Sequence, residues 1–263
     1  MTAAAALPDL HRAVYLRDLL RELVVRELKV RYKRSVLGFA WALATPLLYL
    51  TVFYFVFKVA LSLDIPRFGP FAFTGMLVYT WFQASVSQAS GAITNNRELI
   101  RWPGFAAAVL PAVTVTTNLI HFLLALPLLM LFLIFDGTGL GSMVVLLPAV
   151  IGIQFALTLG LAYLVAAGNA LFRDIKHLVA VLLQLLFFMT PVFYHADMVP
   201  ERYQSLYRLN PMVHLLEAYR AMLLEGVWPS PTVLLALGTL SAALLVLGYK
   251  LFIHVNYRFV EEV

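Results

Sequence analysis

Residues 105–135 read FAAAVLPAVTVTTNLIHFLLALPLLMLFLIF and decide the fold class. This stretch contains no Asp, Glu, Lys or Arg, and it is longer than the about 20 apolar residues that a helix needs to cross a bilayer. The whole chain has the same character, because 62% of its 263 residues are hydrophobic and only 13% are charged. Soluble domains contain about 45–50% apolar and about 25% charged residues. The composition therefore predicts an all-α integral membrane protein.

Six segments are apolar and long enough to be predicted transmembrane helices within a single domain, residues 1–263. An even number of spans places both termini on one side of the membrane. That side receives 14 of the 19 Lys and Arg residues, and because basic residues concentrate in cytoplasmic loops, both termini are predicted to be cytoplasmic. The predicted spans are residues 36–62, 72–91, 105–135, 143–167, 177–194 and 232–254.

Residues 9–34, before the first span, are predicted to form an amphipathic helix on the membrane surface. Charged side chains fall on one side of this helix and apolar ones on the other. A plain membrane anchor and a helix that also grips a partner protein both stay open. The apolar side comprises Leu16, Leu19, Leu20, Leu23, Val24 and Val30, while Leu28 departs from it.

Residues 195–231 form the longest connection, and long connections tend to be functional. The second half of this region is apolar on one face but too short to cross the membrane, and Asn210-Pro211 divides it in two. We expect two short re-entrant helices that dip into the outer leaflet or cap the helical bundle. Glu217 and Arg220 lie three residues apart and are expected to pair on the second helix.

The sequence disfavours transport driven by an ion gradient. The six predicted spans contain no Asp or Glu, whereas proton- and ion-coupled transporters generally need carboxylates or histidine relays within the membrane. His121 is a lone ionisable residue in the third span, and a packed or hydrogen-bonded histidine is the favoured interpretation.

The chain also lacks the motif for using ATP. A phosphate-binding P-loop requires Gly-Lys followed by Ser or Thr, and none of the five lysines follows a glycine. There is no cysteine and no spacing of His or acidic residues typical of a metal site. The basic block near the N-terminus indicates a membrane surface, not nucleic acid. We therefore expect no catalytic residues, no metal and no cofactor bound by this chain, and any uphill transport would take its energy from a separate subunit.

Several short strings, taken in order, resemble the membrane permease of polysaccharide-export ABC transporters, the group that exports O-antigen, capsule or teichoic acid chains within the type-2 ABC permease superfamily. The resemblance covers about residues 15–255, and the chain departs from it at Phe105-Ala106, where the family has an aromatic residue followed by proline. The strings are Arg31 to Gly38 with Trp41 and Pro46, Asn95 to Arg101 with Val109-Leu110-Pro111, Asn169 to Ile175, Thr190 to Tyr194, and Asn210-Pro211 with Tyr219-Arg220 and Gly226.

The resemblance implies a homodimer of six-span subunits around a pore in the bacterial inner membrane, with two copies of a cytoplasmic nucleotide-binding subunit that bind ATP and Mg. It implies that the loop at residues 92–104 couples the two kinds of subunit, although an ordinary positive-inside loop is the alternative. Leu99 and Ile100 suit a hydrophobic groove, and the charged residues suit its rim. The coupling residues are Asn95, Arg97, Glu98, Leu99, Ile100 and Arg101, and residues 195–231 are the gate region, with Asn210, Pro211, Glu217 and Arg220.

A polysaccharide linked to polyprenyl pyrophosphate presents flat apolar sugar faces and an anionic lipid end. Aromatic side chains can stack on the sugars and let the chain slide, although lipid or core packing is the alternative for each ring. Arg31, Lys33 and Arg34 lie at headgroup depth, where they can attract the pyrophosphate or ordinary anionic membrane lipids. The candidate glycan-lining residues are Tyr49, Phe53, Tyr54, Phe57, Tyr79 and Trp81.

The predicted function is thus the permease subunit of an ATP-driven exporter of a lipid-linked polysaccharide. A small-molecule or lipid exporter of the same superfamily is the nearest alternative, and a membrane enzyme of lipid-linked glycan assembly is a further one. A permease depends on an ATPase partner, whereas an enzyme converts its substrate alone.

Overall fold

The computed structural model describes residues 9–33, 41–60, 62, 67–135, 137 and 142–258. These residues form helices and their connections, and no strand occurs among them. The helices are α1 (Asp9–Tyr32), α2 (Trp41–Tyr54), α3 (Phe68–Ser90), α4 (Arg97–Ile100), α5 (Val109–Phe135), α6 (Leu147–Leu171), α7 (Ile175–Phe188), α8 (Glu201–Tyr207), α9 (Pro211–Arg220) and α10 (Pro231–Val255).

Short helical turns extend several of these elements. A π-helical turn, Phe55–Ala60, prolongs α2, and another, Ala221–Glu225, prolongs α9. A 3₁₀ turn over Thr94–Asn96 leads directly into α4.

Three helical segments of the described chain are long and apolar enough to cross a membrane: Val109–Phe135, Met143–Leu171 and Pro231–Val255. They correspond to the third, fourth and sixth predicted spans. Ala44–Ala60 and Ile175–Phe188 are apolar but shorter. At a rise of 1.5 Å per residue, the 14 residues of α7 reach about 21 Å, less than the ~30 Å hydrocarbon core. The chain is therefore a helical membrane protein, and the count of six spans stays a prediction.

The end of α7 differs from the predicted span at residues 177–194. The helix stops at Phe188 because Pro191 has no N–H to continue it. The Thr190 backbone N–H donates to the Phe187 carbonyl at 3.3 Å, and the Thr190 hydroxyl donates to the Leu186 carbonyl at 2.6 Å. The predicted first span, residues 36–62, begins outside the described residues, and its described part starts at Trp41.

Helix α3 lies at the centre of the larger hydrophobic core. From Phe68 to Tyr79 nearly every side chain of α3 is buried, so this helix is enclosed on all sides, unlike a helix with one lipid-facing stripe. Helices α5, α6, α7 and α9 pack around it. The residues that form the contacts include Phe73, Tyr79, Phe122, Leu129, Leu157, Leu183, Leu215 and Tyr219.

Helices α6 and α10 cross at two glycines. A Cβ atom on Gly160 would lie 2.6 Å from the carbonyl carbon of Leu244, and one on Gly248 would collide with the Gly160 carbonyl oxygen. Small residues allow helices in membranes to approach this closely, where van der Waals contact and not water exclusion holds them together.

Helix α1 packs its apolar side on a second, smaller core. Leu23 and Val24 are buried there, against Ile93 and Val113 among others. Leu16, Leu19 and Leu20 are half-buried in the same core, as expected. The placement of Val30 on this face is wrong, because Val30 is 68% exposed. Leu28, which the sequence pattern left outside the face, packs against the core instead.

The region between α7 and α10 contains two short helices, α8 and α9, as the sequence predicts. Pro211 occupies the first turn of α9, and the Asn210 side chain accepts a hydrogen bond from the Met212 backbone N–H at 3.0 Å, which caps the helix. Met212, Val213, Leu215, Leu216 and Tyr219 are fully buried. Helix α9 is therefore an integral part of the bundle core.

Candidate functional site

A cavity of about 380 Å³ opens between the end of α1 and helices α2, α3 and α5. This volume falls in the roughly 300–1,000 Å³ range of small-ligand pockets. Its lining contains both polar and aromatic residues. We call it the α1–α3 cavity; its polar side is defined as Arg31, Gln88, Asn118 and His121, and its aromatic side as Trp41, Tyr49, Trp81 and Phe122, with Thr45 and Thr80 also in the lining.

A hydrogen-bonded network forms the polar side of the α1–α3 cavity. The Arg31 guanidinium donates to Gln88 Oε1 at 2.9 Å and contacts His121 Nδ1 at 3.3 Å. Asn118 Nδ2 donates to the same Gln88 oxygen at 3.2 Å and to the Thr114 carbonyl at 3.0 Å. An arginine has no acceptor, so His121 Nδ1 must accept, and neutral His121 carries its proton on Nε2. His121 is thus a hydrogen-bonded histidine, as expected.

The aromatic side combines exposed and buried rings. Tyr49 is 56% exposed and Trp41 is 47% exposed, so both present faces that a ligand can reach. Trp81 is buried and stacks on Phe122, with ring centroids 5.0 Å apart. Of the candidate glycan-lining residues, Tyr49 and Trp81 therefore share one cavity with Arg31.

The other candidate aromatics lie elsewhere. Tyr79 is fully buried, and its hydroxyl donates to the Leu183 carbonyl, so its interpretation as a glycan-lining residue is wrong: it joins α3 to α7. Phe53 and Phe57 are half-buried and stack on Phe193, with centroids 3.9 and 5.4 Å away. Tyr54 is 46% exposed, beside Phe68.

Of the three basic residues predicted at headgroup depth, Arg31 and Lys33 lie in the described part of the chain. Arg31 lines the α1–α3 cavity, and its Nη2 atom lies 3.9 Å from Glu27 Oε1. Lys33 is exposed after the end of α1. Arg34 lies outside the described residues.

The predicted coupling loop lies beside α1. Asn95, Arg97, Glu98 and Arg101 are exposed, as a rim of partner contacts requires. Asn96 accepts a long hydrogen bond, 3.4 Å, from Arg26 of α1.

The apolar residues of that loop differ in their exposure. Leu99 is half-buried, and Ile100 is buried in the smaller core of this chain, so the expectation that Ile100 enters a partner's groove is wrong: Ile100 anchors the loop. Trp102 is 70% exposed and presents the large apolar surface of the loop.

Two of the gate residues, Asn210 and Arg220, form a buried anchor between α9 and the turn after α7, which we call the α9 anchor. The Arg220 guanidinium donates to the carbonyls of Pro191 (2.6 Å), Val192 (2.7 Å) and Phe71 (3.3 Å). Asn210 Nδ2 donates to the Thr190 hydroxyl at 2.9 Å. Burial lowers the pKa of Arg220 to about 9, so its guanidinium stays charged at neutral pH.

The expected pair between Glu217 and Arg220 is wrong. Glu217 points to His214 instead, with Nδ1 and Oε2 3.7 Å apart. The reason is that Arg220 lies on the buried side of α9, while the side chain of Glu217 is 48% exposed.

The sequence profile described as ABC-2 type transporter matches residues 18–224. The chain belongs to the ABC-2 type transporter family. The resemblance inferred from the ordered motifs is therefore confirmed.

Relatives of this ABC-2 chain include permeases of named export systems. It is 41% identical over 249 residues, 94% of this chain and 96% of the relative, to "O-antigen export system permease protein RfbA" of Myxococcus xanthus. It is 32% identical to the protein of that name from Klebsiella pneumoniae, over 94% of this chain and 95% of the relative. It is 22% identical to "Polysialic acid transport protein KpsM" of Escherichia coli, over 78% of this chain and 80% of the relative.

Sequence reasoning missed several residues of this ABC-2 permease. Gln88 and Asn118 complete the polar network, and each is an amide within a predicted span. An amide inside a span is a usable signal, because polar side chains are costly within a membrane unless they have partners. Trp102 had a similar signal, as an aromatic residue directly after the coupling motif.

Proposed function

We propose that this ABC-2 chain is the permease subunit of an ATP-driven exporter that moves a lipid-linked polysaccharide across the bacterial inner membrane. One observation carries the proposal: at 41% identity, the resemblance to an O-antigen export permease extends over 94% of this chain and 96% of the relative. O-antigen, capsule and teichoic acid chains are the substrate class.

The permease works, in this proposal, as a homodimer with two nucleotide-binding subunits and both termini in the cytoplasm. The sequence supports the need for those subunits, because it contains no Gly-Lys pair for a P-loop. The exposed coupling residues, together with Trp102, form the docking surface. Because Ile100 is buried in the smaller core with α1 residues Leu23 and Val24, a push on this loop reaches α1 and the base of α5 directly.

The α9 anchor would act as the outer gate in this scheme. Helix α9 contacts α3 and also the turn that ends α7, through Arg220 and Asn210. Because α9 is attached to both elements, a movement of α3 relative to α7 shifts α9. In this scheme, that shift couples the outer gate to movements that begin on the cytoplasmic side.

Deletion of the gene tests this proposal. We expect lipid-linked glycan to accumulate on the cytoplasmic leaflet and surface polysaccharide to be lost, with both restored by the wild-type chain. Restoration should also require the ATPase subunit. Normal surface polysaccharide in the deletion strain would reject the proposal, and a drug- or phospholipid-sensitive phenotype without glycan accumulation would favour the small-molecule or lipid exporter.

An activity assay on the purified chain alone distinguishes the permease from the remaining alternative, a membrane enzyme. An enzyme of lipid-linked glycan assembly would convert its lipid-linked substrate without the ATPase subunit. The permease should leave the substrate chemically unchanged and should alter the ATP turnover of its partner.

A further inference from the structure

We propose that the α1–α3 cavity binds the junction between the diphosphate and the first sugar of a lipid-linked glycan. The inference rests on the proposed function and assigns the substrate-binding site within it. It assigns roles to Gln88, Asn118 and His121, as well as to Arg31 and Tyr49.

The polar side of the cavity supplies donors to an anion. Two of the five guanidinium N–H groups of Arg31 engage Gln88 and His121, which leaves three for a phosphate oxygen. Gln88 Oε1 accepts from both Arg31 and Asn118, and this fixes the Gln88 amide with its N–H₂ group still available to donate. Gln88 is exposed, so a ligand can reach that group.

The charge of the cavity also fits an anion. Among the described lining residues, Arg31 is the one charged side chain and none is acidic. Glu27, 3.9 Å from Arg31, is outside the lining and is 46% exposed at its side chain, so water screens much of its opposing charge. His121 acts as a positioning residue, because its Nδ1 holds the guanidinium in place through an accepted hydrogen bond.

The aromatic residues of the lining fit a sugar. Tyr49 and Trp41 present exposed rings, and the buried Trp81 is held by its stack on Phe122. Thr45 and Thr80 are exposed residues of the same lining and offer hydroxyls. A flat apolar face next to hydrogen-bonding groups matches a pyranose ring. The glycerol and acyl chains of a phospholipid have no such flat face, so the aromatic wall favours a glycosylated diphosphate.

Binding to the complete complex, reconstituted with its ATPase subunit in nanodiscs, tests the inference. The probes are undecaprenyl diphosphate, undecaprenyl diphosphate bearing one N-acetylglucosamine, inorganic diphosphate and phosphatidylglycerol. Arg31→Gln should weaken binding of both undecaprenyl lipids by about tenfold or more, since it removes charge-assisted hydrogen bonds. Tyr49→Leu should weaken the glycosylated lipid alone, by about three- to tenfold.

Matched control variants distinguish a loss of binding from a loss of folding. Arg21→Gln removes an exposed arginine from the same helix, and Tyr15→Leu removes an exposed tyrosine; neither residue lines the cavity, and both variants should bind all probes normally. Arg31 and Tyr49 are themselves solvent-accessible, so their variants should retain the wild-type melting temperature.

Two results would overturn the inference. The first is unchanged binding of the undecaprenyl lipids by Arg31→Gln and Tyr49→Leu. The second is displacement of both lipids by phosphatidylglycerol or inorganic diphosphate at equal concentration, which would make the cavity a general anion or lipid site. Either result leaves the proposed function intact when the deletion strain still accumulates lipid-linked glycan, so the two failures are distinguishable.

Discussion

The Arg220 guanidinium lies over the ring of Phe71, with its central carbon 3.4 Å from the ring centroid. The arginine therefore joins α9 to the beginning of α3 by a cation–π contact, in addition to its hydrogen bonds with the carbonyls of Pro191 and Val192. No carboxylate pairs with Arg220 within the described chain. Three carbonyl dipoles and one aromatic face stabilise this buried charge.

Arg220→Met is predicted to destabilise the protein. The change leaves the carbonyls of Pro191 and Val192 buried without donors, at about 1–3 kcal/mol each, and removes the contact with Phe71. A large fall in melting temperature and in membrane abundance should follow. Arg208→Met, which removes an exposed arginine just before α9, is the control and should change little. Equal melting temperatures for the two variants would contradict the anchoring role of Arg220.

His214 is predicted to make the stability of α9 depend on pH. Its interaction with the Glu217 carboxylate, and then its hydrogen bond with the Arg208 carbonyl, raise the pKa of His214, against the opposing effects of burial and of the Arg208 charge. The stabilisation is complete below the unfolded-state pKa, about 6.5, and is lost as the pH rises through the raised folded-state pKa. Since both side chains are partly exposed, its size should stay below ~1 kcal/mol.

Thermal melting between pH 5.5 and 8.5, roughly the range over which histidine titrates, checks this effect. His214→Gln should flatten the pH dependence, and so should Glu217→Gln. His11→Gln, on exposed α1, should retain it. A wild-type melting temperature that rises with pH over this range would show that the sign is wrong.

Gly160 and Gly248 are predicted to tolerate no side chain. Either Gly160→Ala or Gly248→Ala inserts a methyl group into the backbone of the facing helix, and overpacking of this kind costs typically about 1–3 kcal/mol. Gly238→Ala lies on the same helix α10 with no neighbouring atom within 4 Å, and it should be neutral or stabilising by up to about 1 kcal/mol. The melting temperatures of the three purified variants decide the matter. A harmless Gly248→Ala would mean that α6 and α10 are not in close contact.

The sequence predicted the elements whose signals are local. The apolar run at residues 105–135 appears as α5, which begins at Val109 and ends at Phe135 as predicted, and Asn210-Pro211 starts α9 as expected. Polarity at helical spacing also located the buried side of α1, except at two residues: Val30, which is exposed near the end of the helix, and Leu28, which packs against the smaller core.

Contacts between distant segments were not predictable in the same way. Tyr79 and Tyr49 are both aromatic residues of apolar helices, yet one is fully buried and the other is 56% exposed, because α3 is surrounded by helices and α2 is not. Arg220 and Glu217 have the spacing of an ion pair on a helix. Arg220 is instead buried in the core, where it donates to backbone carbonyls, while the Glu217 side chain is partly exposed. The hydrogen-bonded network of the α1–α3 cavity joins residues up to 90 positions apart, a relationship that no local pattern encodes.

Trp102 is predicted to be the central contact with the ATPase subunit. It is 70% exposed beside the exposed charges of Arg97 and Glu98, and exposed tryptophans of this kind frequently dominate binding at interfaces. Trp102→Ala should weaken association with the ATPase subunit by about thirtyfold, which corresponds to ~2 kcal/mol, and lower surface polysaccharide in proportion. Trp228→Ala removes a tryptophan that is 65% exposed between α9 and α10, on the predicted outer side. That variant should bind the ATPase subunit normally, as measured by copurification and by titration in nanodiscs. If Trp228→Ala impairs association and Trp102→Ala does not, the predicted orientation of the chain is reversed, and the ATPase subunit docks at the opposite end of the bundle.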